Sequence, residues 1–308
     1  MPPLDSTILG TAQPAPHTSD LTFPDGGRWR IEIASVEGPA AFEAVLDEAR
    51  ALAVPVHRVS QGSGVMMLTD REIDAMVALG RDADVEVCLF IGPRASWDIG
   101  GQRFTPSNVA ARCRGRDAML ACVAEAERAA ELGVGSVLVA DEGVLWLLDQ
   151  QRRAGRLPAD MQFKVSVLAA PSNPAAFALS QRLGADTVNV PSDLTLAQLA
   201  ELRSAATATI DFYVEAPDSL GGFVRLYDVA ELVRVASPIY LKFGLRNAPD
   251  IYPSGGHLAA TVLGTARERV RRARLALDML ERLSGPDTTM SKIGARDQPA
   301  GPRFGSGA

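Results

Sequence analysis

The stretch Gln162–Glu215, QFKVSVLAAPSNPAAFALSQRLGADTVNVPSDLTLAQLAELRSAATATIDFYVE, alternates short apolar runs with helical patterns. Gln162–Leu168, Thr187–Val190 and Ile210–Glu215 read as strands. Between them, Asn173-Pro174 opens one helix, with proline at the first helical position, and Leu196–Ala206 forms another. This strand–helix–strand rhythm is the signal of βα units in a parallel sheet.

The same rhythm extends both ways to eight units. Upstream strands are Arg30–Ser35, Val56–Ser60, Val85–Ile91 and Ser136–Ala140, and the eighth is Ile239–Phe243. Helices are expected over Pro39–Ala53, from Thr69-Asp70-Arg71-Glu72 with Thr69 as N-cap and Glu72 closing a capping box, over Met119–Leu132, and from about His257 to Leu283. The longest connection is Gly92–Asp117. Eight units over residues 26–283 predict a single (β/α)8 TIM-type barrel, preferred over a doubly wound open sheet. Residues 1–25 and 284–308, rich in Gly, Pro, Ser and Thr, read as flexible tails.

Composition narrows the function. Apolar residues make up 47% of 308, enough for a large core, and the net charge of −6 argues against nucleic-acid binding. No apolar run is long enough to span a membrane, and the start lacks the order of a signal peptide, so a cytoplasmic location is expected. Cys88, Cys113 and Cys122 form no CxxC pair and read as free thiols. Only three lysines occur, and two of them, Lys164 and Lys242, fall within strands.

Parallel strands are buried on both faces, so charges within them need a reason. Glu32, Arg58, Glu86, Lys164, Asn189 and Lys242 lie in strands, while Asp141, Glu142 and Glu215 stand at strand ends. In a barrel such residues either pair with one another or build a site at the carboxyl ends of the strands. Candidate proton-handling residues are therefore Glu215, Lys164, Asp141, Glu142 and His257, with His57 placed at the same face. A lysine held charged by a carboxylate is preferred over one tuned for Schiff-base chemistry. Candidate substrate contacts are Arg58, Gln61, Arg94, Asn189, Lys242, Arg246 and Asn247. The small-residue turns Gln61–Gly64 and Ser254–Gly256 offer backbone N–H groups to an anion, and Arg246 adds a bidentate donor. Glu142, Glu215 and His257 form an oxygen/nitrogen set suited to a divalent metal if the fold brings them together; otherwise the cofactor is unknown.

The segment Leu183–Pro217 resembles the peptidase U32 family. A strand entered from Leu183-Gly184-Ala185, a helix start at Asp193-Leu194-Thr195-Leu196 and a strand at Asp211–Pro217 carry the likeness. The resemblance implies a TIM-like barrel. Members are peptidases, and some are similar to iron–sulfur proteins that support hydroxylation of RNA or quinones. Here Glu215 stands where the family has histidine and no cysteines follow, so no iron–sulfur cluster is expected.

The expected function is a small-molecule enzyme, a lyase or isomerase acting on a carboxylate or phosphate substrate by acid–base chemistry. The alternatives are a U32-like hydrolase or component of a modification complex, and a non-catalytic ligand-binding or assembly subunit. The Arg-rich last helix is compatible with a homo-oligomer.

Overall fold

The computed structural model describes residues 15–92, 112–283 and 289–292. Strands β1 (Trp29–Ala34), β2 (Arg58–Gln61), β3 (Glu86–Phe90), β4 (Ser136–Val139), β5 (Gln162–Val165), β6 (Thr187–Asn189), β7 (Thr209–Glu215) and β8 (Ile239–Phe243) pair in sequence order, all parallel. β8 pairs back onto β1 and closes the barrel. The (β/α)8 expectation holds.

A helix follows each strand: α1 (Pro39–Ala51), α2 (Asp70–Asp82), α3 (Gly115–Glu131), α4 (Glu142–Arg153), α5 (Pro174–Arg182), α6 (Leu196–Ala205), α7 (Val229–Ala236) and α8 (Ala259–Leu283). The Thr69/Glu72 capping box is present, and Asn173 caps α5 through Ala176 N–H. Both satisfy N–H groups that a helix leaves unpaired. The sequence reading did not delimit α4 or α7, and it carried strand five too far. β5 stops at Val165 because the Ser166 side chain accepts from Leu168 N–H and starts a 3-10 turn over Val167–Ala169.

Strand alternation splits the side chains in two. Ile31, Ile33, Val59, Val87, Leu89, Val137, Phe163, Val188, Ile210, Phe212, Leu241 and Phe243 face the helices and form the main core. The alternate residues fill the barrel. Near its carboxyl end, two small apolar clusters sit in the interior, Cys88, Phe90, Leu138 and Ala140 on one side and Ala34, Tyr213 and Ala216 on the other.

The amino-terminal mouth is covered by segments assigned from sequence to the tails. Phe23 is buried against Tyr240 and the Arg30 guanidinium. Ser291, also buried, bonds Arg30 and Asp25 and continues an isolated pairing of Met290 with Trp29. The barrel therefore recruits Phe23–Asp25 and Met290–Ser291, from the segments on either side of it, as a floor.

His57 belongs to this floor, which corrects its placement at the catalytic face. It precedes β2, at the amino end of the strand. Its Nδ1 accepts from Ile31 N–H at 3.1 Å and its Nε2 lies 3.0 Å from the Ser291 carbonyl. That pairing fixes the neutral ring with its proton on Nε2. Burial pushes the ring down to about 4 from 6.5. The unfolded chain thus binds the extra proton between about pH 6.5 and 4, so stability falls as pH drops through that window and levels off below it. The full shift corresponds to roughly 3 kcal/mol. Denaturant titrations across this range should show the loss in the wild type, and His57→Gln should remove that component; identical pH dependence in both proteins would contradict the assignment.

Candidate functional site

The polar residues of the strands meet on the barrel axis. The register places Glu32 level with Arg58 on β2 and Lys242 on β8, and Arg58 level with Glu86 on β3. Lys164 Nζ contacts both Glu32 and Asp211. Lys242 Nζ lies 3.0 Å from Glu32 Oε1 and 3.2 Å from Asn189 Oδ1. Arg58 donates to Glu86 at 2.9 Å, lies 3.4 Å from Glu32 and from Asp211, and stacks over Tyr240 at 3.7 Å. Three carboxylates (Glu32, Glu86, Asp211) thus face three cations (Arg58, Lys164, Lys242).

Burial here is nearly complete, with Glu32, Arg58, Lys164 and Asp211 all 0% exposed. Charge at that depth survives only when paired. Burial alone would raise the Glu32 carboxyl, but Lys164, Lys242 and Arg58 outweigh it and hold Glu32 well below the usual carboxylate range. Burial raises Asp211, with Lys164 and Arg58 pulling against it. Opposing directions in two carboxylates that share Lys164 make Asp211 the member that takes a proton first. Of the candidate residues, the structure brings together Arg58, Lys164, Asn189 and Lys242, and each is engaged by a partner from another strand.

The other candidates lie apart. Glu215 follows a register shift between Tyr213 and Glu215. Tyr213 pairs level with the inward Lys242, whereas Glu215 pairs level with the outward Phe243. The bulge turns Glu215 toward α8, where it lies 3.4 Å from Arg272 and accepts Arg246 N–H at 3.0 Å. Arg246 itself is tied to Asp218 at 3.1 Å, and Asn247 N–H bonds the same carboxylate at 2.7 Å. Asp141 caps α4 through Val144 N–H and accepts Cys113 N–H. Glu142 is exposed and paired with Arg112, and His257 is exposed on the turn before α8. Among the described residues no three His, Cys, Asp or Glu side chains converge as a metal set, so Glu142, Glu215 and His257 do not form one. Arg94 lies outside the described residues.

An open cavity of about 190 Å³ lies at the carboxyl-terminal face, between the loops after β1, β2 and β8. Its wall includes Glu37, Gln61, Ser63, Ser254, Gly255 and the first turns of α1 and α8, with Met67, Leu68, Val262 and Leu263 as apolar sides. The turn Gln61–Gly64 is where the sequence placed an anion-binding loop. Its amides already serve a side chain: Gly62 N–H reaches Glu37 Oε1 at 2.7 Å and Ser63 N–H reaches Oε2 at 3.1 Å. Gln61 braces the turn through both polar atoms of Gly64, and Ser63 Oγ accepts Ser254 N–H at 2.9 Å. A side chain at Gly62 would fall 2.6 Å from the Tyr252 ring, so only glycine allows this approach.

Sequence reasoning missed the residues that knit these loops. Ser35 leaves β1 with φ 59, a left-handed conformation that costs a serine energy and that often marks functional segments. Its hydroxyl makes a short hydrogen bond to Tyr252 OH, and its carbonyl accepts from the buried Arg269. Burial pulls the Arg269 guanidinium down. Burial, helped by the nearby Glu37, pushes the Tyr252 phenol up.

No family model matches the chain, and no curated protein matches it. Solved structures with a similar chain path include the U32 peptidase Mk0906, the family that Leu183–Pro217 resembles, at 17% identity over 64% of this chain and 73% of that one, with a TM-score of 0.40. Others are a 3-hexulose-6-phosphate synthase at 14% identity over 80% and 99%, TM-score 0.44, and a thiamine phosphate pyrophosphorylase from Pyrococcus furiosus at 11% over 83% and 98%, TM-score 0.43. At these identities none transfers an activity to this chain.

Removing one member of the axial network leaves buried charge uncompensated. Glu32→Gln should cost about 3–5 kcal/mol in denaturant unfolding, because two lysines and Arg58 lose their shared counter-charge. Adding Lys242→Met to Glu32→Gln should recover part of the loss. A Glu32→Gln protein as stable as the wild type would show that the axial charges do not hold the barrel.

Proposed function

We propose that this chain is a small-molecule enzyme of the lyase or isomerase class, working by acid–base chemistry in the cavity between the loops after β1, β2 and β8. The observation that carries the reading is the Glu37 carboxylate, fixed on the cavity wall by two backbone amides. The two amide bonds fix where the carboxylate points, and each oxygen keeps a further lone pair for a substrate hydroxyl or a transferred proton. The location agrees with the face on which TIM barrels place their chemistry.

The cavity constrains the substrate. Its volume lies below the range of about 300–1,000 Å³ typical of drug-sized ligands, so the part of the substrate that it encloses has few heavy atoms. The polar side chains on its wall are Glu37, Glu72, Gln61, Ser63 and Ser254, which suit a compound bearing hydroxyl or amino groups. Any carboxylate or phosphate on that compound would rest on backbone N–H groups where α1 and α8 begin, since Arg246 is committed to Asp218. In this reading Glu37 moves the proton, while Lys164, Lys242, Arg58 and Asn189 hold the barrel beneath.

The test is a thermal-shift screen of small hydroxy acids, sugar phosphates and amino alcohols, followed by NMR of each hit in D2O with the enzyme. A stabilising compound should exchange a carbon-bound proton. Glu37→Gln should slow that exchange by about 10²–10⁴-fold in protein that remains folded, with the melting temperature lowered only by the one amide bond that glutamine cannot accept. Exchange unchanged in Glu37→Gln would refute the role.

A further inference from the structure

Two of the three cysteines meet in the connection between β3 and β4, nine residues apart in the chain. Cys113 precedes α3 and Cys122 lies on it, with Sγ atoms 3.4 Å apart. Cys122 is buried, and its thiol donates to the Gly92 carbonyl at the end of β3, at 3.2 Å. Cys113 is partly exposed, and its N–H holds Asp141, the cap of α4. We propose that Cys113 and Cys122 are a redox site that forms a reversible intramolecular disulfide by exchange with a low-molecular-weight disulfide such as oxidised glutathione.

The geometry gives each thiol a separate part. Cys113 is the accessible sulfur and makes the attack. Its thiolate displaces one glutathione thiolate and forms a mixed disulfide. Cys122 then gives up its proton to solvent, and its sulfur attacks Cys113 Sγ. The S–S bond forms there as the second glutathione leaves as thiolate. Two protein thiols are oxidised and one glutathione disulfide is reduced to two thiols. The sulfurs must close from 3.4 Å to about 2.05 Å, a small movement for a residue at the start of a helix.

The local electrostatics agree with these parts. When Cys113 ionises, the Cys122 proton can turn from Gly92 O to the Cys113 sulfur; that contact pulls the Cys113 thiol below its ordinary value and pushes Cys122 up. The remaining thiol is an internal control. Cys88 lies wholly inside the barrel beside Phe90 and Leu138, and burial pushes it up to about 11.

Oxidation has a structural consequence at the mouth. It removes the Cys122 proton from Gly92 O and draws Cys113, whose amide holds Asp141, toward α3. The disulfide therefore couples the ends of β3 and β4 to the helix between them.

The full-length protein should be equilibrated in glutathione redox buffers, alkylated and mapped by mass spectrometry. The expected result is a Cys113–Cys122 disulfide that appears and reverses with the buffer ratio while Cys88 stays alkylatable after unfolding. Cys122→Ser should instead trap one glutathione on Cys113, and Cys113→Ser should take up none. Three free thiols under oxidising buffer, a stable glutathione adduct in the wild type without the internal bond, or a disulfide to Cys88 would each overturn the proposal.

Discussion

Everything in this barrel rests on Glu32 being shared by three cations on the axis. Lys164, Lys242 and Arg58 reach it from β5, β8 and β2, and Asp211 and Glu86 complete the set from β7 and β3. TIM barrels more often fill this space with branched apolar side chains. A charged filling is costly to desolvate, so it holds only when each charge has its partner in place. It also fixes register, because a one-residue slip of any contributing strand would carry its charge to the apolar side that faces the helices.

That constraint separates support from chemistry. Lysines at the axis would ordinarily suggest catalysis, yet here their counter-charges come from the protein itself. The groups that face an opening belong to the loops above: Glu37, Gln61, Ser63 and Ser254 around the cavity, with Ser35 strained beneath them. Three loops that are distant in the chain lock there through Glu37 on the Gly62 and Ser63 amides, Tyr252 on Ser35, and Ser63 on Ser254. The axial network sets the height of β1, β2 and β8, and those strands in turn aim the loops.

Local physics was legible in the chain. The Thr69/Glu72 capping box and the Asn173-Pro174 helix start depend on residues within one turn, and both appear as read. Apolar runs such as Val85–Ile91 announced strands because parallel strands are buried on both faces. What depends on register was not legible. Nothing near Glu215 in the chain shows that a bulge turns it outward, and nothing near Gly62 shows that a carboxylate 25 residues upstream occupies its amide. His57 was misplaced for a similar reason: its role is set by Ser291, 234 residues away. The closeness of Cys113 and Cys122 depends on how α3 begins, which a spacing of nine residues does not reveal.

The central claim is that the ligand sits above the charged axis, against Glu37, rather than at the strand-end groups Asp141, Glu142, Arg246 and Asn247. Amide hydrogen exchange, compared with and without a compound that stabilises the protein, tests this most directly. The account predicts slowed exchange in residues 36–41, 61–68 and 254–263, with no change around Asp141–Gly143 and Gly244–Asn247. Protection confined to those latter segments would contradict it.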